Sequence, residues 1–227
     1  KSDRPGDREV IARIAGESYA AIEKALITLS RLDDAPVVRI GTVWKAKASL
    51  ELLDLFAERI TGDELDRYLT ETSVILSAPD PALELEPENR SAAEIYGKTR
   101  AQSGLLIESL ADSLIKLVVR GEEMPGLARL NLTSRVDRLV RDLLRDADTT
   151  RWLSLAGLLQ PLAEAAPKEF LSAVERSLAM SNRPIAALFT AGDGDSYFAR
   201  SYHVDLLWAL ELLAWSPSRL MRVVRIL

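Results

Sequence analysis

Apolar residues in the stretch DREVIARIAGESYAAIEKALITLSRL recur near the i, i+3, i+4, i+7 spacing, with charged residues between them; Val10, Ile11, Ile14, Tyr19, Ile22, Ala25, Leu26 and Leu29 carry the pattern. That period is helical. It predicts one or two helices over about 7–32, with Gly16 as a joint. The following DDAP ends the helix, because Pro36 disfavours helical geometry at the residue before it. VVRIGTVWKAK breaks the period: β-branched and aromatic residues flank Gly41-Thr42, which predicts a short β-hairpin near residues 37–47. From Ser49 the helical period returns. SLELLDLFAERI and TGDELDRYLTETSVILSA read as a helix pair, with Thr61 or Gly62 near the second N-terminus. Asp63 and Glu64 sit in its first turn, where the helix dipole favours acids.

PDPALELEPENR carries three prolines and reads as a linker or extended loop over 79–90. SAAEIYGKTRAQSGLLIESLADSLIKLVVRGEE then predicts a short helix and a long amphipathic one. Its buried stripe is Leu105, Leu106, Leu110, Leu114 and Leu117, and Gly121 is its C-terminal stop. After the loop EMPGLARLNLTS come short helices in quick succession: RVDRLVRDLLRD, TTRWLSLAGLLQPLAEAA, PKEFLSAVERSLAM and two more within HVDLLWALELLAWSPSRLMRVVRIL. Pro167 and Pro217 fit the first helical position, where a missing N–H costs nothing, and Ser216 suits an N-cap. The class predicted is all-α, an irregular helical-repeat array of helix pairs of the HEAT or TPR kind, with no exact repeat. Its expected organisation is N-terminal helices plus hairpin over 1–78, a proline-rich linker over 79–90, and the array over 91–227, truncated at its C-terminus. Both ends read as cuts in a longer protein. An apolar terminal face and a tendency to self-associate are the expected consequences.

Composition narrows the function classes. Of 227 residues, 48% are hydrophobic, ample for a continuous core. The 29 basic residues against 34 acidic ones give a net charge of -5, which argues against a dedicated nucleic-acid binder. Cysteine is absent and His203 is the one histidine, so thiolate sites, a Cys nucleophile and His-rich metal centres are excluded. No apolar run reaches a membrane span, and the first residues resemble neither a signal core nor a transit peptide. The expected location is cytoplasmic, with no membrane partner.

The candidate chemistry is sparse. AAEIYGKT approaches a phosphate-binding loop at Gly97, Lys98 and Thr99, but Ala92 replaces the first glycine and no apolar strand precedes it; a turn between helices is the ordinary reading. Asp193 and Asp195 in TAGDGDSYF suggest a cation loop, yet Val204 stands where a closing glutamate is needed. His203 has only Asp205 nearby, two residues away and on a different helix face, so a structural histidine is favoured over a general base. RLDDAP has Val37 where a diphosphate site needs its further aspartate. Arg219, Arg222 and Arg225 recur every three positions and form the candidate partner-contact stripe, toward phosphate or an acidic protein. The competing reading is a solvated face, with Leu220, Val223, Val224 and Ile226 on the buried side. Trp208 and Trp215, seven apart, read as core or inter-repeat packing.

The stretch VDLLWALELLAWSPSRLMRVVRIL, with TVWKAKA, DPALELEPENRSAAEIYGKTRAQSGLLIESLADSL and RWLSLAGLLQPLAEAAPKEFLSAVERSL, resembles the helical region downstream of the ATPase module in large bacterial STAND-type NTPases. That group includes the antiviral STAND proteins of anti-phage defence. The similarity runs over about 37–227, and its markers are packing and turn residues: Trp44, Pro81, Tyr96, Gly97, Trp152, Pro161, Pro167, Phe170, Trp208, Trp215 and Pro217. The resemblance implies that the P-loop ATPase and an effector lie elsewhere in a parent chain, while the helices sense a ligand or support oligomerisation. It carries over no nucleotide-binding residue.

These readings lead to a non-catalytic helical-repeat sensor or scaffold with no cofactor of its own. Its expected partners are a protein ligand, neighbouring domains of the parent chain, or a second copy. Two further classes stay open: an all-α enzyme domain whose acidic residues converge on Mg²⁺, and a winged-helix-like DNA-binding domain with VVRIGTVWKAK as the wing.

Overall fold

Local sequence signals set most of the element boundaries in a computed structural model that describes residues 1–121, 123–191 and 201–227. Helix α1 (Pro5–Ala15) stops at Gly16, whose φ of 72° is left-handed and lets its N–H cap the Ala12 carbonyl. After Ser18 caps its first turn, α2 (Tyr19–Leu29) follows. The predicted hairpin is present: β1 (Val37–Ile40) and β2 (Val43–Ala46) pair antiparallel, Val37 opposite Ala46 and Ile40 opposite Val43. Gly41 opens the two-residue loop at φ 60°, a conformation that a tight hairpin requires and that costs glycine no Cβ clash.

Helices α3 (Ser49–Phe56) and α4 (Gly62–Ser77) form the predicted pair. Thr61 makes a reciprocal capping box: its N–H and hydroxyl each donate to Glu64 Oε2 at 2.8 Å, and the Glu64 N–H donates to Thr61 Oγ1 at 3.2 Å. Then come α5 (Gly104–Gly121), α6 (Pro125–Ala128), α7 (Leu132–Leu144), α8 (Thr149–Ser154), α9 (Leu159–Ala165), α10 (Pro167–Ala179), α11 (Ala187–Thr190), α12 (Tyr202–Ala214) and α13 (Pro217–Ile226). The described residues are therefore mostly helical, with one two-stranded hairpin. Among them no helix is long and apolar enough to cross a membrane.

Packing divides the chain into two compact units, Lys1–Thr72 with Ala101–Leu132 and Ser73–Arg100 with Thr133–Leu227. In the first, Ala57, Leu65, Leu117, Leu127, Leu130 and Leu132 form a buried cluster flanked by Leu53, Ile60 and Tyr68. Another part of the unit is organised by a buried carboxylate. Asp7 accepts from the Ser103 N–H at 2.7 Å and the Ser103 hydroxyl at 2.6 Å, and also from the Lys1 ammonium. Ser103 Oγ in turn accepts the Leu106 N–H at 3.2 Å, capping α5. Burial pushes the Asp7 carboxyl up, but these hydrogen bonds outweigh it and hold the group below its ordinary value.

In the second unit α12 packs mainly along α9, and Trp152, Phe170, Leu155, Leu159, Leu162 and Leu171 are fully buried. The proline-rich stretch expected as a linker lies inside this unit and is ordered as two 3₁₀ turns, Pro81–Glu84 and Pro87–Ala92. Proline suits the first position of each turn, and the Asp80 N–H donates to Ser154 Oγ on α8 at 2.9 Å. Arg100, its pKa lowered by burial, donates to the carbonyls of Ile75 at 3.1 Å and Ser154 at 3.2 Å.

Four local expectations change. The short helix expected just after 90 is a continuation of 3₁₀ and turn structure. In α5 the buried line is Ile107, Leu110, Ala111, Leu114 and Leu117, while Leu105 is exposed. The stripe keeps a 3.6-residue period only if it starts at 107, which puts Leu105 off-phase. Gly121 belongs to α5 and is buried; a Cβ there would lie 2.6 Å from Leu132 Cδ1, so glycine allows close packing rather than a left-handed stop. EMPGLARLNLTS contains the short helix α6, with Pro125 at its start.

Candidate interaction surface

Helix α13, PSRLMRVVRI, begins with Pro217 at its first position after Ser216, as expected. The Ser216 side chain makes no capping bond to the helix; its Oγ pairs with Ser218 Oγ at 2.9 Å. At about 100° per residue, Leu220, Met221 and Val224 share one side of the helix, and Arg219, Arg222, Val223 and Ile226 share another. The expectation was a wet arginine side and a buried side made by Leu220, Val223, Val224 and Ile226. The structure rotates the helix relative to that scheme. Val223 is 1% exposed, whereas Leu220 is 44%, Val224 56% and Met221 64% exposed.

The rotation has an identifiable anchor. Arg222 reaches α10 and clamps Glu175 through two parallel hydrogen bonds, Nε to Oε1 at 2.6 Å and Nη2 to Oε2 at 2.7 Å. Nη2 also donates to Ser172 Oγ at 2.7 Å, and Nη1 to the Lys168 carbonyl at 3.4 Å. A guanidinium fork fits a carboxylate in this bidentate way, and its aliphatic stem tolerates burial. Hydrogen bonding to Glu175 pushes the Arg222 pKa up, and the same bond holds the Glu175 carboxyl below the ordinary glutamate range. Arg225 is exposed and adds a longer-range attraction to Glu175, and Arg219 is half-buried. The three arginines of the candidate stripe are thus not equivalent: Arg222 is an internal tether.

Helix α12 turns Leu206, Ala209, Leu210 and Leu213 inward, leaving Leu207 and Trp208 exposed. Trp215, which caps the helix end, is 82% exposed. Of the two readings for Trp208 and Trp215, core or inter-repeat packing, the core reading is overturned: both are surface residues, because the four aliphatic residues already fill the inward side. Each of the last two helices leaves large apolar side chains in water.

The other sequence candidates are dispersed. Gly97 has a φ of 65° in a turn, the Lys98 ammonium is ion-paired to Glu84 Oε2, and the next helix begins only at Gly104, so no helix N-terminus faces a phosphate there. His203 is half-buried at the start of α12 and stacks on Phe189 with ring centroids 5.8 Å apart. Asp193 and Asp195 lie outside the described residues. In the hairpin, Arg39 lies over the Trp44 ring at 5.5 Å and donates to Ser2 Oγ and the Gly41 carbonyl. Among the described residues no three His, Asp or Glu side chains come together as a metal site would require. Sequence reasoning missed the Glu175 and Ser172 anchor, which lies 47 and 50 residues from Arg222. No periodic signal links positions so far apart.

Comparison with protein-family models, with curated proteins and with solved structures gives no match.

Proposed function

We propose that this chain is a non-catalytic helical interaction domain, and that the outward apolar side of α13, with the exposed residues of α12, docks a protein surface of similar apolar character. The observation that carries this reading is the setting of α13, with Arg222 tethered inward beside buried Val223 while Leu220, Met221 and Val224 face water. An amphipathic helix normally turns its apolar side to the core. A large apolar side turned outward fits a side that a second protein surface covers. In a helical array of the HEAT or TPR kind, that surface would be the next helix pair or a protein ligand, and binding would shift the parent protein toward an active assembly. The resemblance of region 37–227 to the helical part of STAND-type NTPases supports placing the domain as a sensor or scaffold in such a cytoplasmic parent.

Sedimentation velocity over a wide concentration range tests the docking face, with a second copy standing in for the partner. The wild-type chain is expected to associate as concentration rises. The double variant Leu220→Glu, Val224→Glu is expected to stay monomeric with unchanged helical content. A wild type that remains monomeric throughout, or a double variant that associates equally well, counts against the reading.

A further inference from the structure

A second surface lies in the other unit and does not depend on α13. Helix α3 places Leu53 and Phe56 on one side, with Ile60 just beyond its end; α4 adds Leu65 and Tyr68, and α5 adds Leu117. Together they line an open groove of about 510 Å³. Leu65 and Leu117 are buried and form its floor, while Phe56 is 45% exposed. The Tyr68 hydroxyl already donates to the Leu110 carbonyl at 2.7 Å, so what its ring can offer is apolar. The volume falls within the range of ligand-binding clefts, about 300–1,000 Å³. The run from Ser49 to Phe56 along α3 makes the groove about 10 Å long, the rise of two helical turns.

Charge around the groove is asymmetric. Arg59 and Lys116 line it, and neither side chain makes a hydrogen bond or ion pair among the described residues. The one acidic group among its described lining residues, Glu64, is committed to the Thr61 capping box at the positive end of α4. An apolar trough two turns long, with two cations unpaired among the described residues and a carboxylate already held in a helix cap, matches a specific shape. That shape is an amphipathic helix with apolar residues at i, i+3 or i+4, and i+7, flanked by acidic ones.

We propose that this groove in the first unit binds an acidic amphipathic helix of a partner protein, with Arg59 and Lys116 selecting its charge. The test is fluorescence anisotropy with a labelled, end-blocked helical peptide carrying leucine at i, i+4 and i+7 and glutamate at its outer positions. A second peptide has lysine in place of each glutamate, and dodecanoate serves as a non-peptide competitor. The chain's net charge of -5 would by itself favour the lysine peptide, so a preference for glutamate reports the groove. The expected result is saturable binding of the glutamate peptide, at least about ten-fold tighter than the lysine peptide. The double variant Arg59→Glu, Lys116→Glu should abolish or reverse that preference, and the milder Arg59→Gln, Lys116→Gln should reduce it. Phe56→Ser should weaken the glutamate peptide without altering α-helical content. Equal binding of the two peptides, a preference for lysine, or binding unchanged by the charge variants overturns the proposal. So does binding of dodecanoate with none of the glutamate peptide, which would assign the groove to a small amphipathic anion. None of these outcomes bears on α13, whose test uses a different surface.

Discussion

Replacing Arg222 with alanine should loosen α13 without unfolding the chain. The Arg222 and Glu175 side chains are 30% and 40% exposed, so solvent screens their attraction and the pair contributes about 1 kcal/mol. The charged hydrogen bond to Ser172 at 2.7 Å adds about 1 kcal/mol, since solvent reaches this site too. Val223 is the only residue of α13 that is fully buried, so little else holds the helix down. A loss of about 2 kcal/mol corresponds to a roughly 30-fold rise in the local opening constant. Native-state hydrogen exchange resolved over residues 217–227 reads this directly, with the α9 and α12 amides as internal controls. The expected result is faster exchange in α13 alone. Arg222→Lys should recover little, because an ammonium cannot form the parallel pair, and Arg225→Ala should change little because Arg225 is exposed. The tether also has a pH signature. Because Arg222 lowers the Glu175 carboxyl in the folded state, its contribution is complete above the ordinary glutamate range and is lost as pH falls through the folded value. Unchanged exchange in α13 after Arg222→Ala, or the same increase at α9 as at α13, would refute the tether.

Two further predictions concern the first unit. Ser103→Ala removes both the α5 cap and the hydroxyl that donates to buried Asp7, so it should destabilise by about 2–4 kcal/mol in urea denaturation; a change below about 0.5 kcal/mol would mean the network carries no stability. Gly6→Ala would place a Cβ 2.5 Å from the Ala101 carbonyl oxygen, a backbone atom that cannot rotate away, and should cost about 1–3 kcal/mol in the same assay. Neutral or stabilising behaviour would show that α1 and the 101 segment are not in close contact.

The sequence made legible those features whose causes are local. The 3.6-residue period placed most helices, and Gly16 separates α1 from α2 because only a left-handed residue could cap there without strain. Gly41-Thr42 identified the hairpin, since β-branched residues on each side had no helical phase to join. Pro167 and Pro217 stand at helix starts for the reason their missing N–H suggests. What local signals could not supply was orientation. Periodicity shows that Leu220, Met221 and Val224 lie on a different side of α13 from Arg219 and Arg222, but not which side faces the protein. That is decided by Glu175 and Ser172 on α10, far away in sequence. For Trp208 and Trp215, read as core or inter-repeat packing, the core alternative falls in the same way, because four aliphatic residues of α12 already occupy the inward side. The three prolines of 79–90 read as a linker or extended loop, and proline spacing alone could not show that those at 81 and 87 each start an ordered 3₁₀ turn. The groove of the first unit had no signature at all, being assembled from residues of separate helices far apart in sequence.

Because the sequence contains no cysteine, the orientation of α13 is directly measurable. Single variants Val223→Cys and Val224→Cys can be compared by the rate of thiol modification with a maleimide in dilute, monomeric solution. The structure predicts that the thiol at 224 reacts close to the rate of a free thiol, because Val224 is 56% exposed, while the thiol at 223 is strongly protected, because Val223 is 1% exposed. Raising the protein concentration should then slow labelling at 224 as the face becomes covered. Protection at 224 in the dilute monomer, or equal rates at the two neighbouring positions, would contradict an outward apolar face on α13.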